Sequence, residues 1–210
     1  MYRKCLFLVI ILVLLTGCTR IEATDDDYIS TINNLLSYNN NYVNSASVGY
    51  EYYLPKGLKL LENKDYNQIF KYNDDYLYLH VDIVSYYYKK VLNFYVQASD
   101  HYYYSNIGDK GYILIDKENN DRYFVKLLYN YAKIEFYVDS INLNKMISYS
   151  MIILNSIRYN DLSIESILND SDVSSSEINY EIEGPNNDGK FSQYLEEYIM
   201  EDEEEKLPDE

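Results

Sequence analysis

Cys5, Cys18, His80 and His101 are the only thiols and imidazoles in a chain of 210 residues, so nucleophilic or metal chemistry would have to be built around them. His80 and Asp82 stand two apart in the alternating run 77–83, a spacing that puts both on one face of a strand. An Asp–His pair needs a nucleophile to hydrolyse anything, and no Ser here sits in a Gly-x-Ser-x-Gly elbow. His101 lies in the loop-like stretch Ser99-Asp100-His101-Tyr102, and neither histidine has the HxxxH or HExxH spacing of a zinc site. Seven glycines form no GxGxxG or GxxxxGK phosphate loop. Asp25-Asp26-Asp27, Asp74-Asp75 and 118–121 offer oxygen ligands, but in no twelve-residue calcium-loop pattern. Carboxylates are abundant enough for a glycosidase pair, yet abundance does not position them. The expectation is a protein without catalytic residues, metal or cofactor.

Cys18 has a more specific context. Arg3 and Lys4 precede an unbroken apolar run at 6–15, and ten residues cover about half of a ~30 Å hydrocarbon core, the length of a signal-peptide core. The run ends in Leu15-Thr16-Gly17-Cys18, which resembles the lipobox of bacterial lipoproteins. That resemblance implies removal of residues 1–17, a diacylglycerol thioether on Cys18, and further acylation, palmitate included, of the new amine. The chemistry agrees: small residues fit a tight protease site, and Cys18 supplies the nucleophilic sulfur. Two or three acyl chains at ~0.8 kcal/mol per buried methylene make a stable anchor where one is marginal. The expected location is the cell membrane, lipid-anchored on its extracytoplasmic face. With Cys5 removed and Cys18 acylated, no thiol is left for a disulfide, a cysteine protease or a Cys-ligated zinc.

Charge divides the rest of the chain. Residues 18–160 hold 14 basic and 17 acidic residues, whereas 161–210 hold 2 and 17, within a total net charge of −16. A near-neutral body carries a polyanionic tail, which argues against phosphate-backbone binding and so against nucleic acid as a partner. Tyr occurs 28 times. Strand propensity and an AT-rich coding sequence account for that abundance; a Tyr-lined surface for a glycan or peptide is the functional alternative.

The elements that must position these residues follow from periodicity. Thr24 or Asp25 caps a helix over 26–38 with Ile29, Ile32, Leu35 and Leu36 on one stripe, and Asn39-Asn40-Asn41 ends it. Strands are expected at 48–54, 58–61 after the Pro55-Lys56-Gly57 turn, 68–72, and most clearly 76–88, where Leu77, Leu79, Val81 and Ile83 alternate with polar residues. Residues 91–98 read equally as strand or helix. Further strands are expected at 102–105, 111–116, 123–128 after a turn at 119–121, and 133–138. A helix at 142–157 gathers Leu143, Met146, Ile147, Ser150, Met151, Leu154 and Ile157 near one face. Helix, strands, helix predicts an α+β fold: an antiparallel β-sheet covered by an N-terminal and a C-terminal helix. The domain expected is 28–168, after a lipidated tether at 18–27.

Leu54-Pro55-Lys56-Gly57-Leu58 and the helix ending Ile153-Leu154-Asn155-Ser156-Ile157 resemble the PsbP-like α/β sandwich family over about residues 48–160. That family contains many small exported or lipid-anchored proteins, and the chain as a whole also resembles lipoproteins of low-GC Gram-positive bacteria. A cystatin-like or nuclear transport factor-like helix on a curved sheet is the alternative architecture. None of these resemblances transfers a catalytic residue.

After a short helix or helix extension at 161–170, residues 169–190 read as a Ser-, Asn- and acid-rich linker, and 191–210 as an acidic tail. Phe191, Tyr194, Leu195, Tyr198 and Ile199 fall at i, i+3, i+4, i+7 and i+8, one apolar stripe of a short helix framed by glutamates. A helix that short is marginal alone, so the stripe needs a surface: the protein's own sheet, or a groove on a partner. The expected function is therefore non-enzymatic: binding or scaffolding a cell-envelope protein through the domain and this helix, with a glycan- or peptide-binding Tyr-rich sheet face as the alternative.

Overall fold

The computed structural model describes residues 25–38, 42–64, 66–92, 101–118 and 121–170. The lipobox residues Leu15, Thr16, Gly17 and Cys18 lie outside the described residues. So does the tail stripe of Phe191, Tyr194, Leu195, Tyr198 and Ile199.

Tyr28 and Ile32 are buried one turn apart, and Leu35 and Leu36 are partly buried, which makes α1 (Asp25–Ser37) a one-faced helix. A two-residue turn at Val48 and Gly49 joins β1 (Ser45–Ser47) to β2 (Tyr50–Tyr52), with Gly49 at φ +82°. The expected strand at 48–54 is therefore the second arm of a hairpin, because the glycine reverses the chain where alternation alone would run straight.

β3 (Lys59–Lys64), β4 (Asn67–Tyr72) and β5 (Asp75–Val81) form an antiparallel meander. β6 (Tyr103–Ile107), β7 (Gly111–Lys117), β8 (Arg122–Tyr129) and β9 (Ala132–Asp139) form another. β5 pairs antiparallel with β9 and joins the two into one seven-stranded sheet, order β3-β4-β5-β9-β8-β7-β6.

The expected strand 76–88 stops at Val81. Asp82 accepts a hydrogen bond from the Ser85 backbone N–H at 2.8 Å and caps α2 (Ile83–Tyr87). Ile83 is 1% exposed, so its burial continued the strand-like alternation while the backbone had turned helical.

α3 (Leu143–Ser156) buries Leu143, Met146, Ile147, Met151 and Leu154 and packs on β8, β9 and α1. Its ends are tied down: Asn142 Nδ2 donates to Asp75 Oδ2 at 3.0 Å, and Ser156 Oγ accepts from the Tyr53 N–H at 2.8 Å. Asn155 Nδ2 donates to the Leu35 and Tyr38 carbonyls, satisfying the C-terminal end of α1. β10 (Arg158–Tyr159) then pairs with β2 in a three-stranded sheet, and α4 (Asp161–Asp170) packs on α2 with Ile164 fully buried. The result is an α+β fold in which α1 and α3 cover one face of a large antiparallel sheet.

Gly111 stands at a close backbone approach between β7 and β8. A Cβ there would lie 1.9 Å from the Leu128 carbonyl oxygen, whereas one at Gly108, φ +57°, would meet nothing within 4 Å. Gly111→Ala should cost about 3 kcal/mol or more, since the β7–β8 backbones must part, against about 1 kcal/mol for Gly108→Ala. Urea denaturation of both variants checks this; equal losses would refute the steric reading.

Candidate functional site

The β8–β9 hairpin sets the geometry of the outer sheet face. Its two-residue turn, Asn130 and Tyr131, has φ +51° and +66°, the primed geometry that a glycine would adopt more easily. Tertiary contacts hold Tyr131 there. Its carbonyl accepts from the Asp82 N–H at 2.9 Å, its hydroxyl donates to the Lys90 carbonyl at 2.8 Å, and its ring stands edge-on to Tyr86. Tyr86 stacks on Tyr159 at 3.6 Å, and Tyr159 donates to the Asn130 carbonyl at 2.7 Å, closing the clamp.

That turn fixes the register at Lys126↔Glu135, Leu128↔Lys133 and Phe124↔Tyr137. Strand alternation sends these residues to the face opposite α3, while Val125, Leu127, Ile134 and Phe136 point into the core. The β5–β9 register adds Tyr78 opposite Glu135 and His80 opposite Lys133. The candidate site is this outer face.

Glu135 is at its centre and only 1% exposed. Its Oε1 lies 2.9 Å from Lys126 Nζ and 3.4 Å from Lys133 Nζ, and Oε2 has no hydrogen-bond partner among the described residues. Two ammoniums facing one carboxylate leave a local excess of positive charge under cover. Burial and the Glu135 charge push the neighbouring Tyr112 hydroxyl's pKa well up, so that phenol stays neutral. Leu92 packs with Tyr104 against Tyr112, Leu114 and Leu128 on one side, and Ile69, Tyr76, Tyr78 and Tyr137 cluster on the other.

Around this centre, cations and rings interleave. Lys71 sits over the Tyr76 ring at 4.8 Å, Arg122 over Tyr137 at 5.4 Å, and Lys126 over Phe124 at 5.9 Å. Each contact of this kind contributes about 0.5–1 kcal/mol where exposed. The expected Tyr-rich sheet face exists, but Tyr76, Tyr78 and Tyr112 are buried, and it is the charged residues between them that reach its surface.

His80 and Asp82, expected to share a strand face, are separated by the end of β5. Asp82 is the helix cap, and His80 Nδ1 lies 2.8 Å from Asn67 Oδ1, the tautomer that donates from Nδ1. Burial, and then the Lys133 charge, lower the His80 pKa to about 4. A base that weak is poorly matched to proton transfer at neutral pH. His101 instead pairs with Asp116 at 2.6 Å at the β6 side of the same face. Among the described residues, no three His, Cys, Asp or Glu side chains converge as a metal site, and no helix is long and apolar enough to cross a membrane.

The chain matches no family model, no curated protein and no solved structure.

Two outcomes are expected. The folded pKa of His80 lies below the ~6.5 of an unfolded histidine, so the unfolded chain takes up the proton first as pH falls. His80 should thus remove up to about 3 kcal/mol of stability between pH ~6.5 and ~4, and His80→Gln should flatten that decline in denaturation curves. A variant losing stability as steeply as the parent would refute it. Glu135→Ala, stranding two largely covered ammoniums, should cost about 3 kcal/mol, while Lys133→Met, which keeps the 2.9 Å pair, should cost under about 1. Urea midpoints decide, and equal costs would remove Glu135 from its central role.

Proposed function

We propose that this protein is a lipid-anchored, extracytoplasmic, non-enzymatic binding protein whose outer sheet face engages an acidic segment of a cell-envelope protein. The observation that carries the reading is the interleaving of cations and rings on that face. Lys59, Lys64, Lys71, Lys126, Lys133 and Arg122 share it by register with Glu62, Asp116, Glu135 and Asp139, a positive surface on a chain of net charge −16. Such a surface suits carboxylate-bearing, partly apolar ligands: the cations steer and orient, and the rings supply contact area. A glycan reading is weaker, because sugars stack on open rings and Tyr76, Tyr78 and Tyr112 are packed in.

The membrane part of the reading rests on Leu15-Thr16-Gly17-Cys18 and the apolar run before it. Cys18→Ser should abolish incorporation of labelled palmitate and release the protein from the membrane fraction. Lys59→Glu/Lys64→Glu/Arg122→Glu, three exposed positions, should leave the fold intact and remove a partner captured by the lipidated parent from detergent-solubilised membranes. An unchanged captured set would defeat the partner reading, and palmitate incorporated into the serine variant would defeat the anchor.

A further inference from the structure

Two grooves and the outer sheet face of the described body differ in charge. A groove of about 520 Å³ between α1 and α3 is lined by Leu35, Tyr38, Tyr42, Val43, Tyr53 and Ile152, together with Asn44 and Asn155, and carries no cation. A second, of about 450 Å³ at the start of α4, has Arg158 beside Glu51 and Asp161 and so offers no net positive charge. The outer sheet face combines apolar rings with a surplus of cations. Among the described residues, Leu92 and His101 cover it from outside the sheet at its β6–β7 side, while α1 and α3 pack on the opposite face.

The chain continues for 40 residues beyond Asp170, and these hold 14 acidic residues against two lysines. Within them Phe191, Tyr194, Leu195, Tyr198 and Ile199 have helical spacing, and Glu196, Glu197 and Glu201 to Glu205 surround or follow that stripe. Apolar stripe with carboxylates matches rings with ammoniums in both respects; each groove lacks one of the two.

Reach is sufficient. α4, the last described element, packs on α2, which directly follows β5 at the end of the sheet where His80 and Lys133 stand. Twenty residues, 171–190, span up to about 70 Å extended and about 25 Å as a coil, against a radius of gyration of about 15 Å for a domain of this size. A segment tethered this way meets its own domain at an effective concentration in the millimolar range.

We propose that residues 191–205 dock in cis on the outer face of the seven-stranded sheet. The apolar stripe lies on the half-buried Phe124 and Tyr137, and the glutamates face Lys59, Lys64, Lys71 and Arg122. Docked there, the tail excludes any other acidic ligand from the face, so the protein carries its own competitor. The docking shares a surface with the binding role proposed above but needs no outside partner.

The experiment is zero-length carbodiimide coupling of the lipidated full chain in neutral detergent at low concentration, with the amide links mapped by mass spectrometry. Links from Glu196, Glu197 or Glu201 to Glu205 to Lys59, Lys64 or Lys71, confined to the monomer, are expected. Leu195→Ser/Tyr198→Ser should cut their yield at least about tenfold, as losing two packed apolar side chains requires, and leave the fold unchanged. Salt near 1 M, where the Debye length is ~3 Å, should weaken coupling in the parent as well. Links to Lys56, Lys110 or Lys145, links only between chains, or no tail links would overturn the proposal. Anionic vesicles that shield the sheet lysines from acetylation equally in parent and stripe variant would assign the face to the membrane and also overturn it. Intact tail links with no captured partner would sink the binding role alone, and the reverse result would sink only the docking.

Discussion

The pairing of β5 with β9 is the contact on which the architecture depends. It joins strands more than fifty residues apart in the chain and turns two local meanders into one sheet. Leu77 against Phe136 and Leu79 against Ile134 are its inner rungs, all fully buried and each contributing roughly 1.5–3 kcal/mol by burial. The same rungs, read on the outer side, place Tyr78 beside Glu135 and His80 beside Lys133. Core and candidate site are thus two sides of one register, and a one-residue slip would exchange them.

Around that seam the two faces meet different needs. The inner face is apolar and takes α1 and α3, whose ends are held by Asn142, Asn155 and Ser156 through hydrogen bonds to neighbouring elements. The outer face carries a buried carboxylate between two lysines, where hydrocarbon of the same volume would be at least as stable. Charge kept under cover in this way suits a surface that selects what lies on it. A tail of opposite sign, docked there as proposed, would be part of how the face works.

Much of the fold is legible in the sequence where local and tertiary forces agree. The α1 stripe, the 142–157 periodicity and the alternating strands from 68 to 81 and from 102 to 138 all specify their own structure, because one period satisfies both backbone and burial. Reading fails at 48–49 and 82–88. A glycine turn and a carboxylate cap redirect the chain there, while buried residues on the far side prolong the same alternation.

For the site, the sequence by itself determined the ingredients: the two histidines, the Leu15-Thr16-Gly17-Cys18 motif, the abundance of Tyr, and the acidic tail with its stripe. Tertiary structure alone decided that Lys126, Glu135 and Lys133 converge, that Tyr76, Tyr78 and Tyr112 are buried within the outer face, and that Asp82 serves a helix instead of His80. The one available signal was the parity of Lys126 and Glu135 about a two-residue turn. That turn contains no glycine to announce it, because Tyr131 is held at positive φ by its contacts with Asp82, Tyr86 and Lys90. A register fixed by distant residues is not written in the strands it aligns, and so neither is the site built on it.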